Sequence, residues 1–135
     1  MNSFTEIIRH WSPERREPVA LATVVRTTGS TYRKPGARML VRADRSSAGM
    51  VSAGCLEQDL IERSLHTLRT EKAQLITYDT QRLFGCNGRM EIFIECVQPE
   101  CRDNLLSAVE RGLQQRQTLV TTTIFRANDL PSVLL

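Results

Sequence analysis

Residues 19–25 (Val19, Ala20, Leu21, Ala22, Thr23, Val24 and Val25) restrict the possible folds of this chain more than any other stretch. A run this short, apolar and rich in β-branched residues suits a strand buried on both faces. Such a strand needs a layer on each side of its sheet, and helical stripes elsewhere in the chain can supply both. Phe4, Ile7, Ile8 and Trp11 fall at i, i+3, i+4 and i+7, with Asn2 or Ser3 as cap. Leu56, Leu60, Ile61, Leu65 and Leu68 form a second stripe, and Leu105, Leu106, Val109 and Leu113 form a third after Pro99. The expected architecture is α/β, a mixed β-sheet layered with helices in one domain, with residues 19–27 as an interior strand.

Turn-forming residues divide the remainder. Ser12-Pro13 ends the first helix or restarts it, since proline fits the first helical position. Strands are expected at 38–42 and 49–52 around the turn Asp44-Arg45-Ser46-Ser47. Two more are expected at 75–78 and 90–97, separated by the loop 79–88, and a last one at 119–125. The second helix runs from Cys55 to about Lys72. After the turn Asp129-Leu130-Pro131, the apolar Val133-Leu134-Leu135 stops without a partner, as a chain cut inside a longer protein would.

With 135 residues the chain has room for one core large enough to fold without staples. It has neither a signal-peptide run nor a membrane-length apolar segment, which predicts a cytoplasmic protein with no membrane partner. Reduced thiols are therefore expected at Cys55, Cys86, Cys96 and Cys101. No Cys-x-x-Cys occurs, and His10 and His66 lie far from the thiols, so no metal site is expected. Both histidines read as helix-surface residues. A net charge of +3 argues against general nucleic-acid binding. The charge is uneven, however: Arg26, Arg33, Lys34, Arg38, Arg42 and Arg45 face only Asp44 within residues 26–45. That suits either one small anionic ligand or a solvated basic face.

Three loops carry the candidate chemistry. The first, 27–36, holds Thr28, Gly29, Ser30, Arg33, Lys34 and Gly36, with Arg38 just beyond. Hydroxyls, glycines and cations are what a phosphate or carboxylate site needs, although ordinary turn chemistry explains them equally well. Neither a Walker loop nor a Rossmann fingerprint is present. The second loop is Ser52-Ala53-Gly54-Cys55-Leu56-Glu57. Here a thiol at a helix start meets free N–H groups and the positive end of the helix dipole, which favour a thiolate. The bland alternative is a small buried residue in a tight turn. Glu57, Asp59 and Glu62 fit the first turns of that helix by the same dipole, and Glu57 is a subsidiary candidate. In the third loop, Gly85-Cys86-Asn87-Gly88, the Asn-Gly pair predicts positive φ and a tight turn. The three loops are expected to converge on one cleft, with Cys55 as the most reactive thiol. Met90, Ile92, Ile94 and Cys96 alternate on one strand face, which shields Cys96.

The chain resembles the N-terminal part of the xanthine dehydrogenase accessory (XdhC/CoxI) family. The resemblance rests on residues 20–31, on Pro35-Gly36-Ala37-Arg38-Met39, on Val51-Ser52-Ala53-Gly54-Cys55-Leu56-Glu57 and on Gly85-Cys86-Asn87-Gly88-Arg89-Met90-Glu91. It implies transient binding of molybdenum cofactor (molybdopterin) and its delivery to a xanthine dehydrogenase-type client. It also implies a cysteine desulfurase partner, a homo-oligomer, and a Rossmann-like C-terminal domain that is absent here. On this reading the basic glycine loop holds the phosphate, while Cys55 or Cys86 faces the molybdenum or relays sulfur. The family usually has glycine where this chain has Ala53; if that position needs positive φ, a methyl group there costs roughly 1 kcal/mol. Two other classes stay open: a cysteine-dependent enzyme acting on a small anion, and a non-catalytic interaction domain.

Overall fold

The computed structural model describes residues 3–11, 17–80, 87–101 and 104–125. Their elements are α1 (Ser3–His10), β1 (Val19–Gly29), β2 (Arg38–Val41), β3 (Ser47–Gly49), α2 (Glu57–Thr70), β4 (Gln74–Asp79), β5 (Gly88–Val97) and α3 (Leu105–Gln114). The sheet order is β3-β2-β1-β5-β4, and every neighbouring pair is antiparallel. The α/β layering expected from the sequence is present, and β1 is the central strand.

The position of β1 explains its composition. Alternate residues leave opposite faces of a strand. Ala20, Ala22 and Val24 join Met39, Ile92 and Ile94 in a core closed by Leu56 and Leu60 from the α2 side. Val19 and Leu21 point the other way, into a second core with Ile7 and Trp11 from the α1 side and Leu106 of α3. Both layers are therefore apolar, as the continuous run requires.

Several boundaries differ from expectation for identifiable reasons. β3 begins and ends earlier than the expected 49–52: Gly49, still paired with Met39, takes φ +82°, and the ladder stops there. α2 stops at Thr70: Glu71 adopts a left-handed φ of +56°, and its N–H bonds Thr67 O at 2.8 Å. The expected strand at 119–125 does not form. Leu119 lies against Gly112 of α3 instead, so close that a Cβ at Gly112 would sit 2.1 Å from Leu119 Cδ1, and Val120 is 89% exposed. Cys96 lies on the expected strand face but is only half-buried. Burial, with help from the nearby Glu71 carboxylate, pushes its thiol up. His10 and His66 are exposed on their helices, as expected. Expectations at Ser12-Pro13, Gly85, Cys86 and residues 127–135 fall outside the described residues. Among the described residues, no helix is long and apolar enough to cross a membrane.

The topology has one functional consequence. β1, β3 and β4 end, and β2 and β5 begin, along the same edge of the sheet. The chain after Gly29, Gly49 and Asp79, positions remote in sequence, therefore leaves the sheet along that one edge.

Candidate functional site

At this edge the first and third loops touch. Ser30 N donates to Asn87 O at 2.9 Å. Gly29, at φ +72°, has no room for a side chain, since a Cβ would lie 2.4 Å from Asn87 O. Gly88 is needed for the same approach seen from the other side: a Cβ there would lie 2.1 Å from Ser30 O. This corrects the expectation of positive φ at Asn87-Gly88, because neither residue adopts it. The turn pair reflects closeness between two distant loops, which sequence-local turn rules cannot register.

The second loop is anchored at both ends. Met50 N donates to Arg38 O at 3.1 Å, and Val51 and Leu56 are buried in the core beneath α2. Between these anchors Ala53, Gly54 and Cys55 are exposed. Gly54 takes φ +107° with nothing within 4 Å of its would-be Cβ, and Gly36 in the first loop is equally open at φ +96°. Ala53 does not have positive φ, so the cost envisaged for its methyl group does not arise.

Ser52 organises the thiol loop. Its hydroxyl donates to Glu57 Oε2 at 2.6 Å, while its N–H donates to Glu57 Oε1 at 2.9 Å. Ser52 Oγ also accepts from Gly54 N at 3.3 Å, from Leu56 N at 3.2 Å and from Cys55 Sγ at 3.7 Å. Cys55 thus sits two residues before α2 begins. Free N–H groups were expected beside its thiolate, but those of Gly54 and Leu56 are turned to the Ser52 hydroxyl. The reason is chemical: a side-chain oxygen tied to a carboxylate is a better acceptor for these amides than a sulfur.

Burial pushes the Glu57 carboxyl up, but hydrogen bonds from the Ser52 hydroxyl and from backbone N–H groups outweigh it, leaving it below its ordinary value near 4.5. A carboxyl lowered in the folded state stabilises the fold above the unfolded value, and that contribution is lost as pH falls through the folded one. Ser52→Ala removes the hydroxyl donor and strands two amides, at a cost of about 1–2 kcal/mol near neutral pH. Urea midpoints measured across pH should then draw closer for the two proteins below the ordinary carboxyl value near 4.5, leaving the part due to the two amides. A gap of constant size down to strongly acid pH would exclude the pairing as its source.

A tie that sequence reading missed holds α2 over the sheet. The Tyr78 hydroxyl donates to Asp59 Oδ2 at 2.6 Å, and Arg63 Nε reaches the same oxygen at 2.8 Å. Burial, followed by the Asp59 contact, raises the Tyr78 hydroxyl well above the usual phenol value. The i, i+4 spacing of Asp59 and Arg63 was a visible signal of half of this network.

The basic segment does not form one cluster. Arg45 pairs with Glu62 of α2, and Arg42 donates to His10 O. Arg38 is buried beneath the Phe4 ring, 4.2 Å from its centroid, with Nη1 donating to Gly36 O at 2.8 Å. Burial lowers its guanidinium, partly offset by Glu95. It therefore braces the first loop from below. Arg26 turns to the sheet face and pairs with Glu91 at 3.2 Å. Arg33 and Lys34 remain in the loop, where Thr31 Oγ1 bonds Arg33 O at 3.0 Å. The dispersal has two sources, strand alternation and long-range acid partners, and neither is visible in a local charge count.

Residues 13–79 match the XdhC and CoxI family. The chain is 34% identical over 97 residues to a probable xanthine dehydrogenase subunit of Bacillus subtilis (strain 168), covering 66% of this chain and 29% of the relative. It is 35% identical over 128 residues to the uncharacterized protein YqeB of Escherichia coli (strain K12), covering 89% of this chain and 23% of that one. A crystal structure of a xanthine dehydrogenase from Bacillus halodurans superposes with a TM-score of 0.71 at 28% identity. The match covers 85% of this chain and 36% of the solved one. The chain thus spans less than a third of the length of either curated relative. The matched segment contains β1 with its glycine loop, the Ser52–Glu57 latch and the thiol between them: this chain belongs to the XdhC and CoxI family.

Proposed function

We propose that this chain binds molybdenum cofactor at the sheet edge carrying Cys55 and holds it for transfer to a xanthine dehydrogenase-type enzyme. The observation that carries the reading is an exposed thiol beside the open backbone of Gly54, on the same edge as the basic glycine loop. Family membership and relatives named as xanthine dehydrogenase proteins support it. The donor set fits such a group, combining a soft sulfur, bare backbone at Gly36 and Gly54, and cations at Arg33 and Lys34. When bound, the cofactor supplies a phosphate, a pterin and a dithiolene-held molybdenum.

Each residue then has a role. Ser30, Arg33 and Lys34 bind the phosphate, with Gly36 allowing close approach and Arg38 bracing the loop. Gly29, Asn87 and Gly88 keep the adjoining loops in contact. Cys55 is the sulfur donor, and Ser52, fixed by Glu57, sets its position. Delivery in the cytoplasm, a cysteine desulfurase as sulfur source and a homo-oligomeric state belong to the same reading.

The test is retention. The purified chain is incubated with cofactor released from a denatured molybdoenzyme and desalted, and molybdenum and pterin fluorescence are measured in the protein fraction. The wild type should retain both, and Cys55→Ser should retain about tenfold less molybdenum through loss of the soft ligand. Retention no greater than that of serum albumin sinks the reading. Equal retention by Cys55→Ser removes the thiol from it.

A further inference from the structure

The ladder between β1 and β5 slips once, between Val24 and Arg26. Before the slip, Ala20, Ala22 and Val24 all face the α2 side, and strict alternation would send Arg26 into the same apolar layer. The bulge reverses that parity, bringing Arg26 beside Glu91 and Thr28 beside Arg89 on the opposite face. Thr77 of β4 pairs with Glu91 from the other side. Arg26, Thr28, Thr77, Arg89 and Glu91 together line an open cleft of about 320 Å³.

The cleft is only partly paired within itself. Glu91, just 8% exposed, takes the Arg26 guanidinium at 3.2 Å, and the Phe125 ring lies 5.9 Å from the same guanidinium. Arg26 is therefore held from two directions. Among the described residues, Arg89 makes no side-chain hydrogen bond or ion pair, and neither do the hydroxyls of Thr28 and Thr77. Two guanidiniums against one carboxylate leave the lining with an excess positive charge. A guanidinium fork and two hydroxyls, all facing one depression, form a donor array suited to a phosphate group.

We propose that this cleft binds a small phosphate monoester. Arg89 meets the phosphate with its fork, Thr28 and Thr77 donate to the remaining oxygens, and Arg26 supplies the second cation. The ester's organic part lies toward Phe125. A volume of about 320 Å³ is at the low end for ligand pockets, which suits a sugar phosphate. The site is separate from the thiol loop, whose anchors Val51 and Leu56 are buried on the α2 side of the sheet.

Calorimetric titration of the full chain tests this, with ribose 5-phosphate as probe and inorganic phosphate and ribose as comparison arms. Ribose 5-phosphate should bind saturably, inorganic phosphate more weakly, and ribose not at all. Arg89→Gln should weaken ester binding about tenfold, as expected for loss of a charge-assisted fork. Thr77→Val should weaken it several-fold and decides the matter if Arg89→Gln proves unfolded by circular dichroism. Lys72→Gln, at an exposed cation beyond the end of α2, should change nothing. No saturable binding up to roughly 10 mM overturns the proposal. So does equal binding by the folded Arg89→Gln or Thr77→Val protein, or an equal loss in Lys72→Gln. Equal affinity for inorganic phosphate overturns the assignment to an ester.

Discussion

Gly88→Ala should destabilise the protein by about 3 kcal/mol and separate the first loop from the third. The added methyl would lie 2.1 Å from Ser30 O and 2.9 Å from Ser30 C, both backbone atoms with no rotamer to adjust. Relief requires moving either the start of β5 or the segment after Gly29. Moving either one breaks the bond from Ser30 N to Asn87 O. Thermal melts should register the stability loss, and amide exchange should show lost protection at Ser30 and at neighbouring amides of β1. A melt within about 0.5 kcal/mol of the wild type would mean that the two loops do not approach this closely in solution.

Leu56→Ala should cost about 3 kcal/mol and loosen the thiol loop without touching the thiol. Leu56 is only 1% exposed, in the core with Val51, Leu60 and Met90, and immediately precedes α2. Truncation leaves a cavity where the loop joins the helix, and Ser52 must then hold Gly54 and the residue at 56 over a floor that gives way. Denaturant titration should show a lower midpoint with an unchanged slope. Alkylation of Cys55 should lose its dependence on Ser52, so that adding Ser52→Ala to Leu56→Ala changes the labelling rate less than Ser52→Ala alone. Strictly additive rates would separate the packing of Leu56 from the geometry of the thiol.

The central strand was legible because burial on both faces leaves its mark on consecutive residues, and Val19 to Val25 carry it. The helices were legible for a similar reason, since their stripes are local patterns. The thiol loop was partly legible: Ser52, Gly54, Cys55 and Glu57 occupy one short turn, and only the direction of the hydrogen bonds had to come from the structure. What was hidden depends on distance. The fate of Arg26 turns on one bulge that reverses which face the strand presents. Arg45 and Glu62 meet across the fold, as do Arg42 and the His10 carbonyl. Gly88 looked like half of a turn signal, yet its reason is the Ser30 backbone approaching from the far side of the β1–β5 pair. At 119–125, β-prone composition meets no partner strand, and contact with α3 takes its place.

Because the strands alternate in direction, the three loops share one end of the sheet only once it is finished, with β5 paired along β1 from Val19–Val97 to Gly29–Gly88. A chain emerging from the ribosome therefore displays the thiol loop well before Asn87 and Gly88 are there to close on Ser30. Closing β5 onto β1 demands a long loop closure that no shorter-range contact can replace. Completion of the edge is thus tied to the slowest pairing in the domain. In an incomplete or locally opened chain Cys55 also loses the Ser52 hydroxyl and the Leu56 floor that position it, so oxidation of this thiol should report on folding history as much as on exposure.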